Sequence, residues 1–367
     1  MSFREIIGQE VPLTILKNNL RSDRIAHAYL FVGENSIGKR LTALNLAKVL
    51  NCEKGKADAC DQCSSCQRIE RFRHPDVKWL EPDGVSQTIK IDHILELQRE
   101  IYLKPFEGRT KVFILLEAER MNRQAANAFL KTLEEPPGES VLILLSSAAE
   151  ELLPTIRSRC QLVRFSLISQ KKIEKFLLEN LNCSLTEARS LSVISEGKLG
   201  EAVRFKKEGA VLGKEIFLDL ILKRDDNILD TVSDIVETWD EHKKKLNLKY
   251  SGDLKEETEN LGKKKQRFLE EKKKASLDRE YRKKIEDDLQ AITLFFRDCL
   301  VWKITGEETL IVNRAREDAI KETAQALSRE EVKEKISVLK EIKEAVSRNA
   351  HLRLALTVML LKLDGKS

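Results

Sequence analysis

Aromatic side chains are scarce in this sequence, 5% of its 367 residues, and no apolar run approaches the length needed to span a bilayer. Met1 to Glu5 carries no long apolar segment of the kind that directs export, so the sequence predicts a cytoplasmic protein with no membrane contact. A large charge of one sign is missing too. The 65 basic and 60 acidic residues leave a net charge of +5, which permits contact with nucleic acid without demanding it. At 41% hydrophobic and 34% charged, the chain reads as soluble, globular and helix-leaning, long enough for two or three domains with real cores. Seven cysteines in a reducing compartment point away from disulfides and toward metal binding or burial.

What is present centres on Gly33-Glu34-Asn35-Ser36-Ile37-Gly38-Lys39-Arg40, which follows the apolar Tyr29 to Val32 and precedes a helical pattern. This is the order of a phosphate-cradling loop, in which backbone N–H groups and a lysine face the phosphates. Gly33, Gly38 and Lys39 are the candidate nucleotide-binding residues. The position that should carry Ser or Thr for Mg²⁺ is Arg40, open to two readings: it neutralises a phosphate or it blocks the metal. Thr42 does not substitute, because a helix turns about 100° per residue and sends its hydroxyl elsewhere.

Cys52, Cys60, Cys63 and Cys66 form a second motif. Two overlapping C-x-x-C steps and a fourth thiol upstream suit a tetrahedral S₄ site, and a filled set leaves no open position for water, so the expected metal is structural Zn²⁺. A redox pair, or four unrelated cysteines, is the alternative. His74 is expected on the surface.

Between residues 25 and 165 strands alternate with helices, which predicts an α/β domain with a mainly parallel sheet. Lys111 to Leu116 is unbroken and apolar, as in a strand buried on both faces. A nucleotide hydrolase would end it in Asp; here that position is Leu116, and the following Glu117 reads equally well as a surface carboxylate. Asn122 is placed to cap the next helix, which Glu134 to Gly138 terminates. Glu81 to Gly84 reads as a turn.

Beyond Ser166 the pattern is helical, with Gly197 and Gly200 as breaks. Segment 241–290 is more than half charged and reads as a solvated helical hairpin or a nucleic-acid arm. Leu277, Tyr281, Ile285 and Leu289 at every fourth position favour a helix face packed on a neighbour. Leu352 to Leu363 is a strongly apolar helix, suited to core or interface.

Taken together, the loop from Gly33 to Lys39, the four cysteines, Asn127 to Pro137 and Ser158-Arg159-Cys160 resemble the bacterial clamp-loader family of AAA+ ATPases, over residues 3 to about 210. The resemblance implies a P-loop (AAA+) α/β domain with zinc module over 1–165, a helical lid over 166–210 and an all-helical collar over 211–367. It implies partners: clamp-loader delta and gamma/tau subunits, and the sliding clamp and primed DNA through the complex. It also implies an arginine in the lid near Gly200, where the chain has none. With Arg40, Leu116 and Gly200 all departing, ATP binding and turnover in the chain's own site are in doubt. Arg159 is then expected to act as an arginine finger, in trans, on ATP held by a neighbour. Cys160 beside it is expected to be inert. An active gamma/tau-type ATPase and a zinc-containing DNA-binding protein are the alternatives.

Overall fold

In the computed structural model, the described residues are 2–55, 58–82, 88–136, 138–208, 221, 227–258, 263–313, 316–347 and 350–364. The chain divides into two compact units, Met1–Arg204 and Phe205–Ser367.

In the first unit, strands β1 (Ala28–Val32), β2 (Val77–Leu80), β3 (Lys111–Leu115), β4 (Ser140–Ser146) and β5 (Gln161–Arg164) form one sheet in the spatial order β2-β3-β4-β1-β5. Every pairing in it is parallel. The central strands alternate between two cores. Tyr29, Phe31, Val112, Ile114, Val141, Ile143 and Leu145 point to one side, and Ala28, Leu30, Phe113, Leu115, Leu142 and Leu144 to the other. That double burial is why the strands read as continuous apolar runs rather than as alternating ones.

Helices α1 (Glu10–Arg21), α2 (Lys39–Asn51), α3 (Ser64–Glu70), α4 (Ile91–Ile101), α5 (Arg123–Glu134), α6 (Pro154–Arg157), α7 (Gln170–Asn180), α8 (Leu185–Ile194) and α9 (Leu199–Glu208) connect and follow the strands. Asn122 caps α5 by accepting from the Ala125 N–H at 2.8 Å, as the sequence predicts. Gly200 lies within the first turn of α9, so it opens a helix rather than breaking one. The predicted turn at Glu81 to Gly84 and the stop at Glu134 to Gly138 fall partly outside the described residues.

The segment before β3 is pinned by two buried polar side chains. Asp76 accepts from the N–H groups of Phe106 at 2.7 Å, Glu107 at 3.0 Å and Gly108 at 2.7 Å. Asn51 accepts from Arg109 at 2.9 Å and Thr110 at 3.1 Å. Burial works against the Asp76 charge, yet the three amides hold its carboxyl below the usual carboxylate value. Its stabilising effect is therefore complete above the ordinary aspartate range and disappears as pH falls through the lowered value. Asp76→Ala is expected to lower the unfolding free energy by about 3 kcal/mol, read by urea denaturation at neutral pH, because three buried donors lose a charged acceptor.

The second unit contains α10 (Ile228–Thr258), α11 (Lys263–Thr305), α12 (Glu317–Ala326), α13 (Arg329–Ser347) and α14 (Leu352–Leu363). Leu277, Tyr281, Ile285 and Leu289 on α11 are buried in one core with Trp239, Phe295, Leu339 and Met359. The every-fourth pattern within the charged stretch thus marks a packed face. The Trp239 indole N–H donates to Asp288 at 2.9 Å, which fixes α10 against α11. The start of the predicted collar at 211 lies outside the described residues. No helix among the described residues is long and apolar enough to cross a membrane.

Candidate phosphate loop, arginine finger and cysteine cluster

The glycine-framed loop leaves β1 at the carboxyl edge of the parallel sheet, where ligands of such sheets gather. Its start is bonded into the sheet: the Gly33 N–H donates to Ser146 O at 3.2 Å. Gly33 has φ 146, and a Cβ there would stand 2.5 Å from Phe165 O, so no other residue fits. Gly38, with φ 108, is the N-cap of α2, whose first-turn N–H groups lack helical partners. Lys39 is buried. Its ammonium donates to Gly33 O and to Glu34 O, the latter at 2.9 Å, so in this conformation the cation serves loop carbonyls. Burial lowers its pKa to about 8, against the opposing pull of the Glu119, Glu34 and Glu117 carboxylates. The three carboxylates act against that lowering, and a further cation, Lys198, adds to it.

Arg40 neither faces the loop as a phosphate ligand nor occupies the metal position. Its guanidinium points away, 3.2 Å from Glu81 and over the rings of Phe72 and Trp79 at 5.6 and 5.1 Å. A cation with two aromatic faces and a carboxylate at hand gains more there than beside Lys39. Thr42 turns inward and donates its hydroxyl to Gly38 O at 2.9 Å. Leu116 packs beside the α2-side core, and Glu117, in a left-handed conformation with φ 48, pairs with Arg120 at 2.5 Å. Glu119 is the functional neighbour that sequence reasoning misses. It accepts from the Ser147 N–H at 3.1 Å and the Ser147 hydroxyl at 2.6 Å and is the strongest of the carboxylate influences on Lys39. No periodicity marks it, since it follows a strand end by a short 3-10 turn.

The start of α9 is joined to the same loop. The Gly200 N–H donates to Ser36 O at 2.8 Å, the Ser36 hydroxyl donates to Glu201 at 2.9 Å, and Lys198 pairs with Glu34 at 3.2 Å. A Cβ on Gly200 would lie 3.0 Å from both Ser36 Cβ and Ser36 O. A side chain at 200 therefore requires the loop backbone to move.

Arg159 lies at the other edge of the sheet. It precedes β5, whose first residue Gln161 pairs with Tyr29, and Gly33 is four residues further along β1. Four strand residues rise roughly 13 Å, so Arg159 and the loop mark opposite ends of the parallel strands. The guanidinium is partly exposed, 2.8 Å from Glu134 and donating to Thr155 O at 3.1 Å. Burial pushes the neighbouring Cys160 thiol up to about 12, which makes it a poor nucleophile.

The four cysteines come together, with their sulfur atoms all within 4.8 Å of one another. Zn–S bonds of about 2.3 Å in a tetrahedron put thiolates about 3.8 Å apart, so the set fits one ion after a small contraction. Backbone amides already point at three sulfurs: Gly55 to Cys52 at 3.2 Å, Cys63 to Cys60 at 3.3 Å and Cys66 to Cys63 at 3.4 Å. Such donors favour thiolates. The N–H of Gln62, followed by its neighbours, draws the Cys60 thiol down to about 6. The cluster is tied to α2 through buried Lys48, which meets Asp61 at 2.8 Å and also Glu70. His74 is not on the surface: it is buried, with Nε2 3.2 Å from the Ser65 hydroxyl and Nδ1 accepting from the Asp76 N–H.

A five-stranded parallel sheet with a glycine-framed loop after its β1 strand, followed by a helical region, defines a P-loop protein of the AAA+ class. Sequence comparison narrows this class. The family model described as DNA polymerase III, delta subunit, matches residues 8–169. The gamma subunit of Buchnera aphidicola subsp. Acyrthosiphon pisum is 34% identical over 269 residues, 65% of this chain and 74% of that protein. The delta′ subunit of Bacillus subtilis is 41% identical over 167 residues, 46% of this chain and 50% of its own length. The tau subunit of Escherichia coli is 37% identical over 219 residues, 58% of this chain and 33% of its own length. The chain belongs to the bacterial DNA polymerase III clamp-loader family. It spans half the length of that delta′ relative and a third of that tau relative. A gamma subunit-related protein of Thermotoga maritima aligns with 97% of this chain and 99% of its own at 19% identity and TM-score 0.45; the family assignment rests on the sequence matches.

Proposed function

We propose that this chain is a delta′-type subunit of the DNA polymerase III clamp loader, which does not hydrolyse ATP itself and serves as the stator of the assembly. In this reading it joins delta on one side and gamma/tau on the other, and Arg159 completes the ATP site of a gamma/tau neighbour. The assembly then loads the sliding clamp on primed DNA. Residues 1–165 act as the nucleotide-fold domain with a structural zinc held by Cys52, Cys60, Cys63 and Cys66, residues 166–210 as the lid and residues 211–367 as the collar. The zinc supplies local rigidity and no reactive position, since four thiolates complete its coordination.

The observation that carries this reading is the internal commitment of the loop's own cations: Lys39 serves Gly33 O and Glu34 O, and Arg40 serves Glu81. With Leu116 in place of a carboxylate, and Glu117 and Glu119 engaged by Arg120 and Ser147, the position expected to hold Mg²⁺ is apolar, and charge developing on a transferred phosphoryl group would lack that stabilisation. Arg159, at the opposite sheet edge, remains available to a neighbour.

An active gamma-type subunit is the competing reading, favoured by the extent of the match to the Buchnera gamma subunit. The two differ on the purified chain. The delta′ reading expects no phosphate release from Mg-ATP above buffer, whether Gly33, Gly38 and Lys39 retain weak nucleotide binding or not. Magnesium-dependent turnover abolished by Lys39→Ala would replace it with the gamma reading.

A further inference from the structure

Helix α3 ends in a turn whose residues are hard to explain by packing. The Arg73 N–H donates to Arg68 O at 2.8 Å and the Phe72 N–H to Ile69 O at 3.0 Å, closing the helix in the manner that places its next residue in the left-handed region. That residue is Phe72, with φ 56, at a position that favours glycine or asparagine. Phe72 as a whole residue is 54% exposed. Backbone ease does not account for a phenylalanine here, and the ring stays largely exposed although it packs on Trp79 and Arg40.

The ring is also held and surrounded in a definite way. It meets Trp79 edge to face at a centroid distance of 5.2 Å, and the Arg40 guanidinium lies over both rings. The nearby cations Arg68, Lys78 and Arg40 are matched by Glu107, Glu100 and Glu81. Arg71 and Arg73, the exposed residues either side of Phe72, meet no carboxylate among the described residues. The surplus charge of the patch is therefore positive and lies on the two residues that flank Phe72 in the chain.

We propose that Arg71, Phe72 and Arg73, backed by Trp79 and Arg40, form a contact site for single-stranded nucleic acid, with Phe72 stacking on an unpaired base and the two arginines meeting the backbone phosphates. A cationic groove with an aromatic platform is the general means of holding single strands without reading sequence. An acidic protein segment would satisfy the arginines but would leave the ring without a purpose. A duplex keeps its bases stacked on one another and offers the ring no face. The site shares Arg40 with the loop but uses neither Lys39 nor Arg159, and its test reads oligonucleotide affinity rather than ATP turnover, so its failure is distinguishable from that of the stator reading.

The test uses the full chain and a short fluorescein-labelled oligo(dT), titrated by anisotropy at several salt concentrations. Phe72→Gly suits the left-handed turn, so the protein is expected to keep its melting temperature while affinity falls about 5- to 150-fold, the range for losing one stacked base. The Arg71→Ala/Arg73→Ala pair is expected to reduce the slope of log affinity against log salt by about 1.4, the value for two single-strand phosphate contacts. Unchanged affinity in Phe72→Gly overturns the proposal, as does an unchanged salt slope in the double variant. So does equal binding of a duplex or of polyglutamate that is indifferent to Phe72.

Discussion

Replacing Arg159 with alanine is expected to slow ATP hydrolysis at the neighbouring subunit's site by ~10³ to 10⁵-fold in the reconstituted clamp loader, the range for an arginine finger supplied in trans. The chain's own stability should barely change. The guanidinium pairs with Glu134 where both side chains are well exposed, and such surface pairs contribute about 0 to 1 kcal/mol. Loss of activity with an intact melting curve would therefore report the arginine itself. Arg159→Lys sharpens the result: lysine keeps the charge but not the planar fork that spans two phosphoryl oxygens, so most of the rate loss should remain. Phosphate release by the assembly, with and without primed DNA, is the measurement. Wild-type rates in the Arg159→Ala loader would remove the central claim about this subunit.

The second large effect concerns the cysteine cluster. Metal analysis of the purified chain is expected to find about one zinc, and Cys63→Ala is expected to lose it. Structural zinc in small modules binds with apparent free energies of about 10 to 16 kcal/mol near neutral pH, and much of that is folding energy for the segment concerned. Among the described residues, the segment from Cys52 to Cys66 has one element near its end, α3, which begins at Ser64, the tail of α2 having ended at Asn51. Without the ion it is held by the Lys48 bridge to Asp61 and Glu70, by the Phe3 N–H on Asp58 and by the Ser65 N–H on Glu53. A chelator should therefore increase proteolytic cleavage between Cys52 and Cys66 well before the sheet unfolds. Full resistance to protease after quantitative zinc removal would contradict a structural metal.

The sheet was legible because its central strands are apolar on both faces, a pattern that Val141 to Leu145 carries without interruption. The cysteine cluster was legible because three of its members lie within one short motif. The left-over polar residues were harder. His74 looks like a surface residue because polar side chains usually are, but Ser65 and Asp76 supply hydrogen bonds from distant or turning segments and permit its burial. Arg40 announces the loss of a magnesium ligand, but its destination depends on Phe72, Trp79 and Glu81, which reach it only once α2 packs beside β2. Glu119 influences Lys39 across eighty positions of sequence. Such contacts are made by topology, and no local periodicity encodes them.

The contact between Gly200 and Ser36 has an evolutionary consequence. On the proposed delta′ reading, the arginine that the family resemblance implies near this lid position is missing, and the present backbone leaves 3.0 Å for even the first carbon of a side chain. Restoring the arginine by one substitution would press its Cβ on Ser36 and push on the loop before any catalytic benefit returned. Changing Leu116 or Arg40 alone would leave the other departure in place. On that reading each single step back either strains the loop or leaves the site incomplete, so a loss of activity in this site would act as a ratchet.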